Sequence, residues 1–166
     1  MEYINNSPTV VNAQDGQTLS VAGGAYRVII SGKQTNGTYA VIDMLVPPEN
    51  GPAPHSHADI QESFYVVDGE IEVKTEAKTY IAKKGTFVNI PFGGMVHCFK
   101  NKSDTVAHLI CTVMPSGLEE FFQEIGKPVP EGTFLPPPVL RPEDIERLQA
   151  LAVKYGQKVF PPDFLG

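Results

Sequence analysis

The feature that most limits the possible folds of this chain is a series of short alternating segments between Tyr26 and Met114. The segments are rich in β-branched and aromatic residues, and polar and apolar side chains alternate along them, as in half-buried strands. They read AYRVIIS, TYAVIDMLV, ESFYVV, EIEVKT, KTYIA, TFVNI, VHCFK and TVAHLICTV. Many short strands with close turns predict a sandwich or barrel. No longer repeat of the kind that builds solenoids or propellers is present.

Glycine and Asx residues separate these segments, for example at Asn36-Gly37, Asp68-Gly69 and Lys84-Gly85. Asn-Gly and Asp-Gly between alternating segments are typical of β-hairpins. We therefore predict hairpin turns at the first two of these positions.

The pattern changes after Met114, where a short amphipathic helix is predicted. Ser116 to Glu119 has the form of a capping box. Apolar residues then follow at helical spacing before Gly126, at Leu118, Phe121, Phe122 and Ile125. We expect this helix to cap the β-core, because an apolar stripe on a helix usually faces a core.

A second helix is predicted beyond a proline-rich segment. Lys127 to Pro142 holds six prolines in sixteen residues, a composition that favours a stiff, extended connector. The helix begins near Pro142, has acidic residues in its first turn and stops at Gly156. Its apolar stripe, which we also expect to cap the β-core, consists of Ile145, Leu148, Leu151, Ala152 and Tyr155.

Charge and hydropathy limit the possible partners. The 13 basic and 19 acidic residues give a net charge of −6, and no cluster of lysine or arginine offsets it, so we expect no nucleic-acid partner. The N-terminal residues MEYINNSPTVVNAQDG lack the features of a signal peptide, and no segment has the length of a membrane span. We therefore expect a cytoplasmic protein without a membrane partner, in which Cys98 and Cys111 are buried free thiols.

The segment HSHADIQE contains two of the four histidines, His55 and His57, and a carboxylate at Glu62. On a strand, residues i and i+2 face the same side, so the two imidazoles can point to one place. Alternation in the next segment puts Glu62 on one face with Phe64 and Val66. A carboxylate buried in such a face needs a compensating cation.

His97 opens another predicted strand, forty residues after His57. If folding brings His97 to His55, His57 and Glu62, three imidazoles and one carboxylate can bind a divalent metal and leave one or two positions open. A pair of histidines alone is commonly found on a surface without a function, so the hypothesis depends on this convergence.

The same residues resemble the cupin superfamily. Its first motif is HxH, three or four residues, Glu, six residues and Gly, and here His55 and His57 are followed by four residues, Glu62, six residues and Gly69. Its second motif is Gly, five residues, Pro, one residue, Gly, two residues, His, three residues and Asn. This chain has Gly85, Pro91, Gly93, His97 and Asn101, with one extra residue between Gly93 and His97. Upstream, Gly51 lies three residues before His55, where the family usually shows five.

The resemblance covers roughly residues 20–115 and implies an all-β fold, a double-stranded β-helix or jelly-roll barrel. It implies one divalent transition metal ion (Fe, Mn, Ni, Co, Cu or Zn) bound by His55, His57, Glu62 and His97. We expect residues 1–115 to form the barrel with its N-terminal strands, and residues 116–166 to form a helical and proline-rich extension of the same domain.

Two sets of residues near the motifs remain open. Phe64 and Phe99 share the alternation of Glu62 and His97, and we expect them to be pocket walls, although ordinary core aromatics have the same pattern. His108 matches no motif position, and it either lines the pocket or points outward.

The single barrel, the four-residue gap before Glu62 and the trailing segment GLEEFFQEIG resemble most the small flavonol 2,3-dioxygenase-like cupins. That likeness implies a metal-dependent dioxygenase acting on a small enolisable or flavonol-like substrate, with Glu62 as the catalytic base. A metal-dependent isomerase or epimerase and a non-catalytic small-molecule-binding cupin are the alternatives, because the fold and the ligand set do not fix the reaction. No helix-turn-helix segment is present, which disfavours a DNA-binding sensor. The expected partners are a small-molecule substrate and a second copy of the chain, as a homodimer.

Overall fold

The computed structural model describes residues 6–166. Residues 1–5, the first residues of the predicted barrel segment 1–115, lie outside the described residues. The strands of the described part are β1 (Thr18–Val21), β2 (Gly24–Ile30), β3 (Ala40–Val46), β4 (His55–Ser56), β5 (Gln61–Asp68), β6 (Glu70–Thr75), β7 (Thr79–Lys83), β8 (Phe87–Ile90), β9 (His97–Lys100), β10 (Ala107–Met114), β11 (Lys127–Pro128) and β12 (Lys158–Val159). The helices are α1 (Leu118–Ile125) and α2 (Pro142–Lys154).

The strands form two antiparallel sheets that enclose one apolar core, which confirms the predicted all-β jelly-roll barrel with two short helices. The larger sheet has the strand order β11-β1-β2-β3-β10-β5-β8, and the smaller sheet has the order β12-β4-β9-β6-β7. Burial alternates along β3 and β10, as the sequence pattern predicts for strands with one face on a core. The inner faces of these two strands include Ile42, Met44, Leu109 and Val113, which are at most 1% exposed.

One of the two predicted hairpin turns is wrong. Asn36 and Gly37 do lie in the loop between the paired strands β2 and β3, and both have a positive φ. The strands on either side of Asp68-Gly69, β5 and β6, belong to different sheets, so this dipeptide is a corner of the barrel. Gly69, with φ of 76°, is packed so closely that an added Cβ would lie 2.9 Å from the Cα of Ala107. The chain turns away here instead of folding back on β5, because β5 pairs with β8 and β10 on its two sides.

Helix α1 packs against β1 and β3, as predicted, but the expected capping box at Ser116 is wrong. The N-cap is Gly117, and no side chain caps it. Glu119, which is buried, instead accepts hydrogen bonds from the backbone N–H groups of Gly117 at 2.6 Å and Gly32 at 2.8 Å. The carboxylate therefore ties the start of the helix to the loop between β2 and β3.

Helix α2 begins with Pro142 in its first turn and ends before Gly156, as predicted. Its main contacts are with α1 and β12, and Ala152 is its one buried residue, so it covers the β-core less than expected. The extended connector before it includes β11, which pairs with the edge of β1, a position where a proline is tolerated.

The remaining expectations concern the cysteines and membrane segments. Cys98 and Cys111 are free; Cys111 is buried, whereas Cys98 is only partly buried. Within residues 6–166, none of the helices combines the length and apolar character that crossing a membrane requires.

Candidate metal centre

The two sheets bring His55, His57, Glu62 and His97 together between them, as the sequence predicts. His55 in β4 lies directly opposite His97 in β9. His57 follows β4 at once, and Glu62 is carried into the same space by β5 of the other sheet. One potential ligand atom from each of the four side chains lies within 4.8 Å of those of the others. Residues distant in the sequence thus form a single cluster.

All four side chains are buried. His55 is 9% exposed, His57 2%, Glu62 3% and His97 1%. The burial of Glu62 follows from the alternation of β5, in which Glu62, Phe64 and Val66 face inward while Ser63 and Tyr65 do not. A carboxylate with so little contact with water requires positive charge or hydrogen-bond donors close by.

The backbone fixes the orientation of each imidazole. The Nδ1 atoms lie within hydrogen-bond distance of carbonyl oxygens: His55 with Ala53 at 2.8 Å, His57 with Ile60 at 2.9 Å and His97 with Met95 at 3.0 Å. When Nδ1–H donates to these carbonyls, the neutral ring carries its lone pair on Nε2. Such contacts behind the ring are typical of metal-binding histidines.

Glu62 uses its two oxygens differently. Oε2 lies 2.9 Å from Nε2 of His57 and 3.2 Å from Nε2 of His97. Oε1 accepts a hydrogen bond from the Cys111 thiol at 3.4 Å. Burial opposes ionisation of Glu62, but its hydrogen bonds with the two histidines outweigh burial and lower its pKa. Glu62 is therefore an anion at neutral pH.

Burial and neighbouring charges shift the pKa values of His55 and His57 in opposite directions. Burial, together with the nearby His97, lowers the pKa of His55 to about 4, so His55 is neutral at pH 7. Burial also disfavours the charged form of His57, but the hydrogen bond to Glu62 and the charge of Glu62 outweigh it and raise the pKa. His57 consequently shares in balancing the carboxylate when no cation is bound.

The chemistry of this donor set fits a divalent transition metal ion. Three Nε2 atoms and one carboxylate, all buried and oriented, are ligand types that such ions accept. A divalent ion would balance the negative charge of Glu62 without requiring a proton on His57. The donor types do not distinguish iron, manganese, nickel, cobalt, copper and zinc, so the identity of the ion is open.

Phe64 and Phe99 are the aromatic residues that we expected beside the cluster. They are 2% and 3% exposed, and their rings contact each other edge to face with centroids 5.2 Å apart. They are part of the apolar core cluster, so the expectation of a pocket wall and that of a core aromatic are both compatible with their positions.

Two further residues reach the cluster that the sequence analysis did not assign to it. Cys111 contacts Glu62, and burial together with the charge of Glu62 raises the pKa of its thiol, which therefore stays protonated as a donor. Tyr26, on the inner face of β2, is 7% exposed, and its ring packs edge to face against Phe122. Burial, and to a smaller extent the negative charge of Glu62, raises the pKa of Tyr26. The alternation of β2 and β10 was the one sequence signal that could have placed them inside.

The hydroxyl of Tyr26 has no hydrogen-bond partner among the residues that the structure describes. Within the same part of the chain, Gln157 Nε2 is the only buried side-chain nitrogen or oxygen that lacks a partner and is closed to solvent. The Tyr26 hydroxyl is therefore still reachable by water or by a small ligand.

His108 points away from the cluster. Its Nε2 lies 2.6 Å from Oδ1 of Asp43 on the neighbouring strand β3, and its side chain is 32% exposed. Because alternate residues of β10 face the core and His108 is not one of them, the outward orientation is the correct one of the two considered.

Comparison with known proteins identifies the family. Residues 42–113, which include all four clustered side chains, match the family model described as Cupin domain. These residues form a cupin domain. This cupin is 26% identical over 150 residues to quercetin 2,3-dioxygenase of Bacillus subtilis (strain 168), a match covering 89% of this chain and 44% of the relative. It thus spans less than half the length of that enzyme.

Solved structures show the same fold at lower identity. A predicted oxalate decarboxylase from Thermotoga maritima superposes on the cupin with a TM-score of 0.59 and 18% identity, over 64% of this chain and 99% of that one. A cupin-superfamily sugar phosphate isomerase from Silicibacter pomeroyi gives a TM-score of 0.57 and 15% identity, over 66% and 77% of the two chains. At these identities the likeness shows the fold alone.

Proposed function

We propose that this cupin is a metal-dependent dioxygenase that acts on a small enolisable or flavonol-like substrate. The observation that carries the proposal is Glu62, a buried anion placed among three oriented imidazoles with one oxygen, Oε1, contacted only by the Cys111 thiol in the described residues. The similarity to quercetin 2,3-dioxygenase, which extends over most of this chain, supports the same choice of reaction.

In this proposal His55, His57, Glu62 and His97 hold the metal. The bound ion would supply Lewis-acid polarisation of the substrate's oxygen atoms and, if it is redox-active, electrons for reaction with O2. The carbonyls of Ala53, Ile60 and Met95 keep the imidazoles in one orientation.

Glu62 acts as the catalytic base and takes the proton of a substrate hydroxyl group. Its low pKa makes it a weak base while His57 and His97 both contact it, so loosening one of these contacts would raise its proton affinity. The neighbouring apolar side chains of Phe64 and Phe99 keep water away from the enolate and its proton.

The test is oxygen uptake by metal-loaded protein with a panel of flavonols and 1,3-diketones. We expect uptake with at least one of these substrates and a decrease of about 100-fold or more in Glu62→Gln, because general-base catalysis contributes about that much. His108→Gln, on the outer face, is the matched control and should retain uptake. No uptake with any of the candidate metals would contradict the dioxygenase proposal.

A metal-dependent isomerase or epimerase is the second candidate, and Tyr26 favours it. Moving a proton between two carbon atoms of one substrate needs a base and an acid, and the free Tyr26 hydroxyl and Glu62 are within electrostatic reach of each other. Substrate conversion without oxygen consumption would select this reaction. Ligand binding without any conversion would select a non-catalytic cupin.

We also propose that the cupin forms a homodimer. Strands β7 and β8 lie at the edges of the two sheets, and they expose large apolar side chains: Ile81 is 54% exposed and Phe87 is 63% exposed. Exposed edges with apolar side chains are commonly protected by pairing. Sedimentation equilibrium should give twice the mass of the chain, and Phe87→Lys should shift the equilibrium toward monomer.

A further inference from the structure

The segment after α2 returns to the barrel and pairs with the strand that carries His55. In this pairing Val159 lies opposite His55 and Lys158 lies opposite Ser56. The backbone N–H of Phe160 then donates to the carbonyl of Pro54 at 2.8 Å, which extends the contact. These residues lie outside the family match, which ends at residue 113.

Continuing this register by one residue places Gln157 opposite His57. Residues opposite each other on antiparallel strands place their side chains on the same side of the sheet, and here His57 is on the side of the metal cluster. Gly156 also lies close to this segment, since a Cβ added there would be 4.0 Å from Cδ1 of Ile60. The carbonyl of Ile60 is the one that orients His57. By this extended register, Gln157 lies beside the segment that holds this histidine.

The side chain of Gln157 is buried without a partner. The residue is 8% exposed, and its backbone N–H is fixed by a hydrogen bond to the carbonyl of Ala152 at 2.8 Å. In residues 6–166, its Nε2 is the single closed-off side-chain nitrogen or oxygen without a hydrogen bond. Burying an amide in this way destabilises the free protein, so its presence calls for a partner that is bound at another time.

We propose that the amide of Gln157 is a ligand-binding group that hydrogen-bonds an oxygen atom of a small molecule held beside His57. The amide supplies both a donor and an acceptor, which suits a hydroxyl, ketone or enolate oxygen. The inference rests on the proposed function only for the class of ligand, an oxygen-rich enolisable molecule. It does not depend on which reaction the ligand then undergoes. The extension of α2 and β12 then forms part of the wall of the site.

The test measures binding of maltol, a 3-hydroxy-4-pyranone that carries the hydroxy-ketone group of a flavonol without its additional rings. Protein loaded with cobalt(II) is titrated with maltol by calorimetry without oxygen, as wild type, Gln157→Met and Gln157→Leu. Gln149→Met is the matched control, because Gln149 is exposed on α2, the helix that precedes Gln157. Thermal unfolding of the metal-free proteins is measured in parallel.

We expect the Kd for maltol to rise about 5- to 30-fold in both Gln157 variants and to stay unchanged in Gln149→Met, as for the loss of one or two neutral hydrogen bonds. The melting temperature of the metal-free Gln157 variants should be equal to or higher than that of wild type, because an unpaired buried amide has been removed. This combination of a more stable protein and weaker binding separates a ligand-binding role from a structural one.

Unchanged maltol affinity in folded Gln157 variants overturns the inference, and so does a wild type that does not bind maltol. The outcome is independent of the dioxygenase proposal. If maltol binding depends on Gln157 while flavonols cause no oxygen uptake, the ligand-binding role stands and only the proposed reaction fails.

Discussion

His55 and His97 lie directly opposite each other on the antiparallel strands β4 and β9, with ring centroids 4.4 Å apart. The distance between the two imidazoles is therefore set by the register of the smaller sheet and not by loop conformation. Glu62 reaches them from the larger sheet, so the cluster forms only when the two sheets close on each other. Sites built on regular strands in this way hold their ligands in a narrow range of geometry.

Replacing any one of the four clustered residues should remove the metal. His55→Ala, His57→Ala, Glu62→Gln and His97→Ala each delete one donor, and we expect the affinity for a divalent transition metal to fall by at least about 100-fold, more than is typical for residues behind the ligands. Elemental analysis of the purified variants measures this. His108→Ala, which removes a histidine from the outer face, should bind as much metal as the wild type. Equal metal content in all five variants would contradict the assignment.

The stability of the metal-free protein should depend on pH through His55. Its pKa is about 4 in the fold and near 6.5 when the chain unfolds, so between these values the unfolded state binds more protons. The contribution of His55 to the free energy of unfolding is thus fully present above pH 6.5. It decreases by at most about 3 kcal/mol as the pH falls toward 4. His57 has a raised pKa and acts in the opposite direction, so total stability alone does not isolate the effect.

The comparison with His55→Asn isolates the effect of His55 on stability. Urea unfolding in the presence of a chelator gives the free energy of unfolding of both proteins at pH 7 and pH 4. We expect the advantage of the wild type over His55→Asn to shrink by about 2–3 kcal/mol at the lower pH. An advantage that is the same at both pH values would show that His55 titrates normally in the folded protein.

Gly69 and Gly85 offer a matched pair for the corners of the barrel. Both have a positive φ, 76° and 86°, but only Gly69 is enclosed, because an added Cβ would lie 2.9 Å from the Cα of Ala107. Nothing lies within 4 Å of the corresponding position at Gly85. We expect Gly85→Ala to cost about 1 kcal/mol of unfolding free energy and Gly69→Ala about 3 kcal/mol. Thermal or urea unfolding measures both, and equal costs would show that the corner at Gly69 adjusts without strain.

Tyr26→Phe tests whether the free hydroxyl on the inner face of β2 takes part in turnover. Under the proposed function we expect substrate turnover to fall about tenfold, as for loss of one hydrogen bond to the reacting molecule, while the metal content stays the same. Tyr65→Phe is the control, because Tyr65 is 45% exposed on the opposite face of β5. Unchanged turnover in Tyr26→Phe would assign the tyrosine to packing against Phe122 alone.

The sequence predicted the strands well where alternation was strong. All eight alternating segments correspond to strands from β2 to β10, and the parity that placed Glu62 and Phe64 on one face is correct. Two of the two-residue strands, β11 and β12, were not predicted, because two residues are too few for a pattern and their pairing depends on distant partners. The role assigned to Asp68-Gly69 was wrong for a related reason: local turn chemistry does not distinguish a hairpin from a corner between sheets.

The sequence predicted the four ligand residues of the candidate site, but it did not predict which other residues surround them. The spacing of His55, His57 and Glu62 and the second motif at His97 identified the cluster, which the structure brings together. The contacts of Glu62 with Cys111 and the approach of Tyr26 follow from how the sheets pack, which single-sequence patterns do not encode. The position of Gln157 relative to His57 was equally hidden, because it depends on a register between strands that lie far apart in the sequence.

Strand β4 is only two residues long, and it is flanked by β9 on one side and by β12 on the other. The residues of β12 leave the ribosome after those of the other described strands. A nascent barrel in which the histidines are already in place therefore still has an unpaired strand edge beside His55. Until that edge is covered, an extended segment of another polypeptide can occupy the place of β12. In such a barrel, the pairing of β12 with β4 covers the edge beside the histidine cluster last among the described strands.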